Sequence, residues 1–103
     1  ITRKTKSLNS LEDLYDIIKK RSKDNTKKSY TKKLLKKGKN IIAQKITEES
    51  TELIIDYLNG TKKRTIEEAA DLIYHIFVLL YSKKIDIKDL HKELKKRHNV
   101  RSK

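Results

Sequence analysis

"ITEESTELIIDYLNGTKKRTIEEAADLIYHIFVLLYS", residues 46–82, decides the fold of this chain. Apolar residues recur in it every three or four positions on either side of Gly60, which is the pattern of two helices joined by a short turn. Two long helices so joined lie antiparallel and form the centre of a bundle. The same stretch holds seven of the 14 acids: Glu48, Glu49, Glu52, Asp56, Glu67, Glu68 and Asp71. Of the 27 Lys and Arg residues it holds only Lys62, Lys63 and Arg64. Ionised groups are expensive to keep in apolar surroundings, so the placing of these acids needs a reason.

Outward from that centre the helical signals continue. Asn40 is expected to cap the first central helix, residues 41–58, with Gly60 beyond its end. "GTKKR" reads as the joint, and Thr65 with Glu68 as the capping box of the second central helix, which runs to Ser82. Ser10 with Asp13 opens a helix over 10–22, and a short helical piece over 31–37 ends at Gly38. "KDNTKKSYTKK" is polar and reads as loop before that piece, while Asp86 with Asp89 starts a last helix whose Lys95, Lys96 and Arg97 suit its negative end. The expected fold is all-α, an antiparallel helical bundle of about five helices with the acidic motifs on the two central ones.

Composition agrees. A chain of 103 residues is one domain, able to bury roughly two-thirds of its unfolded surface. It has no Pro and two Gly, which disfavours a turn-rich β fold. It has no Cys, which excludes disulfides, thiolate metal sites and Cys nucleophiles. The longest apolar run, 72–81, is broken by His75 and falls short of the ~20 residues needed to span a bilayer. "ITRKTKSLNS" lacks the apolar core of a signal peptide, so a cytoplasmic protein is expected, with no membrane partner. The chain begins with Ile, and residues 1–9 read as a linker or tail ahead of a domain over 10–98, with a C-terminal tail at 99–103. A net charge of +13 suits a phosphate-bearing partner. No helix-turn-helix, zinc-finger or RNA-recognition signature accompanies it, so nucleic acid is not the expected partner.

Placing residues at 100° intervals sorts the acids. Ile42, Ile46 and Leu53 form an apolar stripe, and Glu49 falls about 20° from Ile42, within or at the edge of it. Glu52 lies ~60° further round, beside Lys45 and Asp56, and Glu48 lies beyond it towards solvent. On the second helix Glu68, Asp71 and His75 share a band ~60° wide, whereas Glu67 points elsewhere. Each central helix thus carries a carboxylate pair at i, i+3: Glu49 with Glu52, and Glu68 with Asp71. Four carboxylates converging in a partly buried interface must be protonated or neutralised by a cation. Oxygen ligands without Cys suit Mg²⁺ or Mn²⁺ better than zinc. A plainer reading stays open: acids in a first helical turn complement the dipole, and "EESTE" alone is most often a solvated face. His75, one turn after Asp71, is either an ordinary interior histidine or a substrate contact.

"EESTE" followed by "EEAAD" fits the EExxE…ExxD pattern of the all-α nucleotide pyrophosphohydrolases. "LEDLYDIIKKR", "SYTKKLLKKG", "IAQKITEESTEL" and "EEAADLIYHIFVLL" occur in the order and spacing of the phosphoribosyl-ATP pyrophosphohydrolase family, which the chain resembles over residues 8–98. The resemblance implies Mg²⁺-dependent hydrolysis of phosphoribosyl-ATP to phosphoribosyl-AMP and pyrophosphate, the second step of histidine biosynthesis, in a homodimer with active sites near the subunit interface. It also implies fusion to, or work beside, phosphoribosyl-AMP cyclohydrolase. Glu49, Glu52, Glu68 and Asp71 match the family's metal-binding acids, and Glu48 is assigned to the attacking water. Lys45 matches the lysine before the motif, and Ser29, Tyr30, Thr31 and Lys33 match the segment that approaches phosphates or ribose, to which His75 is added as a substrate contact. Thr47 stands where relatives commonly have Gly, and Ile41 where they have a basic residue, removing one phosphate contact. Two other functions compete: pyrophosphohydrolysis of a common or damaged nucleoside triphosphate, and a basic helical module that binds nucleic acid.

Overall fold

The computed structural model describes residues 8–24 and 29–101. Among these residues the chain forms five α-helices and no strand: α1 (Leu11–Ser22), α2 (Tyr30–Lys37), α3 (Lys39–Asn59), α4 (Lys62–Ser82) and α5 (Ile87–Arg101). Helices α3 and α4 make the most extensive pairing, and α1 and α2 pack across them. The core takes residues from every helix: Tyr15 and Ile18 from α1, Leu34 from α2, Ile42 from α3, Phe77 and Val78 from α4, and Ile87 from α5. Tyr15 meets Phe77 and Tyr81 edge-on at 6.3 and 6.2 Å, and its hydroxyl donates to the Ile85 carbonyl at 2.6 Å. No helix among the described residues is long and apolar enough to cross a membrane. Residues 1–7 of the expected linker and 102–103 of the expected tail lie outside the described residues, as do 25–28 of the expected loop. The last helix runs to Arg101.

Two helix starts differ from the sequence expectation. Helix α3 begins at Lys39 behind Gly38, so Asn40 lies inside its first turn and is not its cap. Gly38 ends α2, its N–H donating to the Leu34 carbonyl at 3.3 Å, and also precedes α3. Its φ of 97° and ψ of 176° belong to a region open essentially only to glycine, and this turns the chain from one helix to the next within one residue. Helix α4 begins one turn before the expected Thr65. Thr61 is its N-cap, the hydroxyl accepting from the Arg64 N–H at 3.1 Å. The hydroxyl of Thr65 instead donates to the carbonyls of Thr61 at 2.9 Å and Asp56 at 3.1 Å, tying α4 back to α3. The joint is therefore Gly60 and Thr61 alone, with Lys62, Lys63 and Arg64 inside the helix. Three cations in a first turn oppose the helix dipole, which is why sequence rules place them outside it. A Cβ on Gly60 would stand 2.5 Å from the Asp56 carboxylate, so this tight joint needs glycine for space.

The other caps follow expectation. Ser10 accepts from the Asp13 N–H at 3.3 Å, and the Asp86 N–H donates to the Asp89 carboxylate at 3.3 Å. At the end of α4, Ile85 N–H donates to the Leu80 carbonyl and Lys84 N–H to that of Tyr81, both at 2.9 Å. That is the Schellman arrangement, with Lys84 at φ 63° in the left-handed position.

Candidate active site

The acid site lies between α3 and α4, where the helical phase of each acid decides its fate. Glu49 and Glu68 are buried at 8% and 4% exposure, and Asp71 is exposed. One carboxylate oxygen from each of these three residues lies within 4.8 Å of the other two. Asp71 thus stands at the open side of the cluster, not deep in a buried helix as its sequence surroundings imply. Glu52, exposed on α3, is not in the three-way cluster but faces Glu68. Burial, together with the neighbouring Glu52 carboxyl and its charge, pushes the Glu68 carboxyl above the usual glutamate range.

The remaining acids separate as the phase argument expects. Glu48 is exposed, accepting from the Gln44 amide at 2.9 Å and lying 3.5 Å from the Lys45 ammonium. The Gln44 hydrogen bond and the Lys45 charge hold its carboxyl below the usual range. Glu67 is exposed and accepts from Arg64 at 2.8 Å. Lys45 reaches Glu49 as well as Glu48, at 3.6 Å. Partial burial pulls its ammonium down, but Tyr30, Glu48 and Glu49 outweigh this and raise it.

The segment 29–33 is placed beside this cluster by the start of α2. Ser29 is the N-cap of that helix, accepting from the Lys32 N–H at 3.1 Å and donating to the Arg21 carbonyl at 3.3 Å. Tyr30 is half-exposed, and its hydroxyl reaches His75 Nε2 at 2.9 Å while its ring stacks on Tyr74 at 6.1 Å. Burial raises its phenol; the charge of Lys45 opposes this, and Tyr74, Glu49 and Asp71 add to it. Thr31 is fully buried, with its hydroxyl against that of Tyr74. Lys33 is exposed. His75 is buried, with Nδ1 at 2.7 Å from the Asp71 carbonyl, which can only accept. Nδ1 therefore carries the proton and Nε2 accepts from Tyr30. Both ring nitrogens are engaged within the protein, and so is the Thr31 hydroxyl. Tyr30 and Lys33 are the members of this group open to a ligand.

Arg64 is a site residue that sequence reasoning missed. Its guanidinium donates to Glu68 Oε2 at 2.7 Å and to Glu67 at 2.8 Å, and lies 3.8 Å from Asp56 on α3. The signal in the sequence was its spacing, i+3 and i+4 ahead of two acids. The other oxygen of Glu68, Oε1, is buried without any hydrogen-bond partner. A buried carboxylate oxygen lacking a donor is costly. Three hard oxygen donors so close together, one of them orphaned, fit a divalent cation of the Mg²⁺ or Mn²⁺ type.

Known proteins resemble the chain along most of its length. The profile of the family described as phosphoribosyl-ATP pyrophosphohydrolase matches residues 11–98. A phosphoribosyl-ATP pyrophosphatase of Sulfurisphaera tokodaii is 47% identical over 91 residues, 88% of this chain and 97% of that protein. Its counterpart in Sulfolobus acidocaldarius is 45% identical over 89 residues, covering 86% and 94% of the two chains. The histidine biosynthesis bifunctional protein HisIE of Bacteroides thetaiotaomicron is 49% identical over 89 residues, and there the chain spans 44% of the relative's length.

Proposed function

The chain belongs to the phosphoribosyl-ATP pyrophosphohydrolase family, and on that premise we propose that it hydrolyses phosphoribosyl-ATP to phosphoribosyl-AMP and pyrophosphate, in histidine biosynthesis. The observation that carries this reading to the residues is the convergence of Glu49, Glu68 and Asp71, together with the buried, unpartnered Oε1 of Glu68. These three would hold Mg²⁺, with Glu52 beside Glu68 as the fourth carboxylate. Once bound, the cation would offset the charge of the triphosphate and stabilise the charge developing on the displaced phosphoryl group.

The chain's own residues would do the rest. Water attacks the α phosphorus, the bond to the bridging oxygen of the β phosphate breaks, and pyrophosphate leaves. Glu48 is ionised and exposed beside the cluster, so it can orient that water and take its proton. Lys45 brings a firmly protonated ammonium between Glu48, Glu49 and Tyr30, where it can neutralise a phosphate oxygen. Tyr30, half-exposed at the edge of the cluster, offers a ring on which a base can stack.

A second copy of the chain is the expected partner. Ile54, Ile55, Tyr57, Leu58 and Ile66 are all more than half-exposed around the end of the α3–α4 pair. Large apolar side chains concentrated at the end of the helix pair that carries the acids support a dimer with active sites near its interface. The mass in solution tests it: wild type sediments as a dimer, and Tyr57→Lys with Leu58→Lys shifts it to a monomer. The match to part of a longer HisIE protein supports a fusion or functional pairing with the enzyme that acts on phosphoribosyl-AMP.

Pyrophosphate release from phosphoribosyl-ATP, compared with a panel of common nucleoside triphosphates, tests the substrate. Faster turnover of any simple triphosphate would overturn the assignment.

A further inference from the structure

We propose that Arg64 is a positioning residue for the cation site, holding one oxygen of Glu68 so that the other is fixed as the ligand atom. The inference rests on the metal reading of the acid cluster. Glu68 Oε2 accepts from Arg64 at 2.7 Å, while Oε1 is buried with no partner, so the two oxygens of one carboxylate are divided between two tasks. A carboxylate free to rotate about its terminal bond would exchange them. The guanidinium is itself held at 2.8 Å by Glu67 and faces Asp56 at 3.8 Å, so three points on two helices fix its plane. The planar fork of Arg reaches Glu67 with one nitrogen and Glu68 with another, which a lysine ammonium cannot do at the same reach.

The three cations in the first turn of α4 then have an explanation. Starting α4 at Lys62 opposes the dipole, yet it places Arg64 one turn before Glu68 on the same face. Thr61 supplies the cap that permits the early start. Glu67 and Asp56 offset the guanidinium charge, so its repulsion of a cation at Oε1 is reduced while its grip on Oε2 remains. Partners that orient a ligand in this way commonly contribute 10- to 100-fold to metal affinity.

The test is calorimetric titration of Mn²⁺ into the full chain without nucleotide, for wild type, Arg64→Gln and Arg64→Lys, beside steady-state kinetics at rising Mg²⁺. Arg64 is 53% exposed on its side chain, and Gln and Lys are good helix formers, so both variants should keep wild-type helix content. We expect Arg64→Gln to weaken Mn²⁺ about tenfold or more, and Arg64→Lys to restore part of the loss. At saturating Mg²⁺ the KM for phosphoribosyl-ATP should match wild type, with kcat largely recovered. Wild-type Mn²⁺ affinity in both variants would overturn the proposal, whatever their melting temperatures. Tighter Mn²⁺ binding in Arg64→Gln would also overturn it, since repulsion would then outweigh orientation. Unchanged Mn²⁺ affinity with a raised KM would assign the guanidinium to the substrate's phosphates instead. If wild type itself takes up no Mn²⁺, the metal reading falls and the proposal with it, a result distinct from the others.

Discussion

The hydroxyl of Tyr30 donates to Nε2 of His75 across 2.9 Å, joining the first residue of α2 to the middle of α4. His75 is oriented for this by the Asp71 carbonyl, one turn earlier on α4, which accepts from Nδ1. The backbone of Asp71 therefore fixes the histidine that positions Tyr30, while its side chain belongs to the carboxylate cluster. Histidine acts here as a connector between the acid site and the segment that approaches it from α2.

Tyr30→Phe keeps the ring and removes the donor, leaving a nitrogen of a 5%-exposed histidine without its partner. The expected loss is about 1 kcal/mol, because Tyr30 is itself half-exposed and water can replace part of the bond. Chemical denaturation with an unchanged m-value measures it.

Glu49→Gln and Asp71→Asn are expected to lower Mg²⁺-dependent pyrophosphate release about a hundredfold or more, since loss of outer partners alone costs 10- to 100-fold. Circular dichroism should show unchanged helix content. Normal turnover in either variant would refute the assignment of these acids.

Glu48→Gln separates water activation from metal binding. Glu48 stands outside the three-oxygen cluster and contacts Gln44 and Lys45. Mn²⁺ affinity should stay near wild type while kcat falls about 10²- to 10⁴-fold, the range for loss of a general base. Retained kcat would move the base elsewhere.

Without metal, the stability contributed by Glu68 should be lost as pH rises above the usual glutamate range of about 4.3. Glu68 is raised in the folded state, so this site binds more protons in the native than in the unfolded protein between the unfolded and folded values. Its stabilising contribution is complete below the unfolded value and is lost as pH climbs through the folded one. Glu68→Gln should flatten this decline and give a higher melting temperature at neutral pH without metal. Added Mg²⁺ should raise the melting temperature of wild type but not of Glu68→Gln.

Gly38→Ala should destabilise the fold by roughly 1–3 kcal/mol. A Cβ there meets nothing within 4 Å, so the cost would come from the backbone and not from crowding. An unchanged midpoint of unfolding would show that the α2–α3 junction can relax.

Much of the fold is legible in the residues because local rules act alone. Periodicity around Gly60 marks the two central helices, and the caps at Ser10 and Asp86 need only their neighbours. Where two local rules conflict, type alone does not place the helix start. Asn40 and Thr65 are good caps by type, but Gly38 and Thr61 precede them and can start each helix earlier. Thr65 is satisfied by carbonyls, one of them on the opposite helix, and no local rule contains that partner.

For the site, sequence by itself determined which acids share a helical face, since a spacing of three or four residues is a fixed rotation. That separates Glu49, Glu52, Glu68 and Asp71 from Glu67. Tertiary structure alone decided which oxygens meet. It set Glu52 against Glu68, gave both nitrogens of His75 partners inside the protein, buried Thr31, and brought Arg64 onto Glu68. Helical phase gives a direction around one axis. The separation and offset of two packed helices, on which distances of 2.7 Å and burial both depend, come from the side chains filling the space between them.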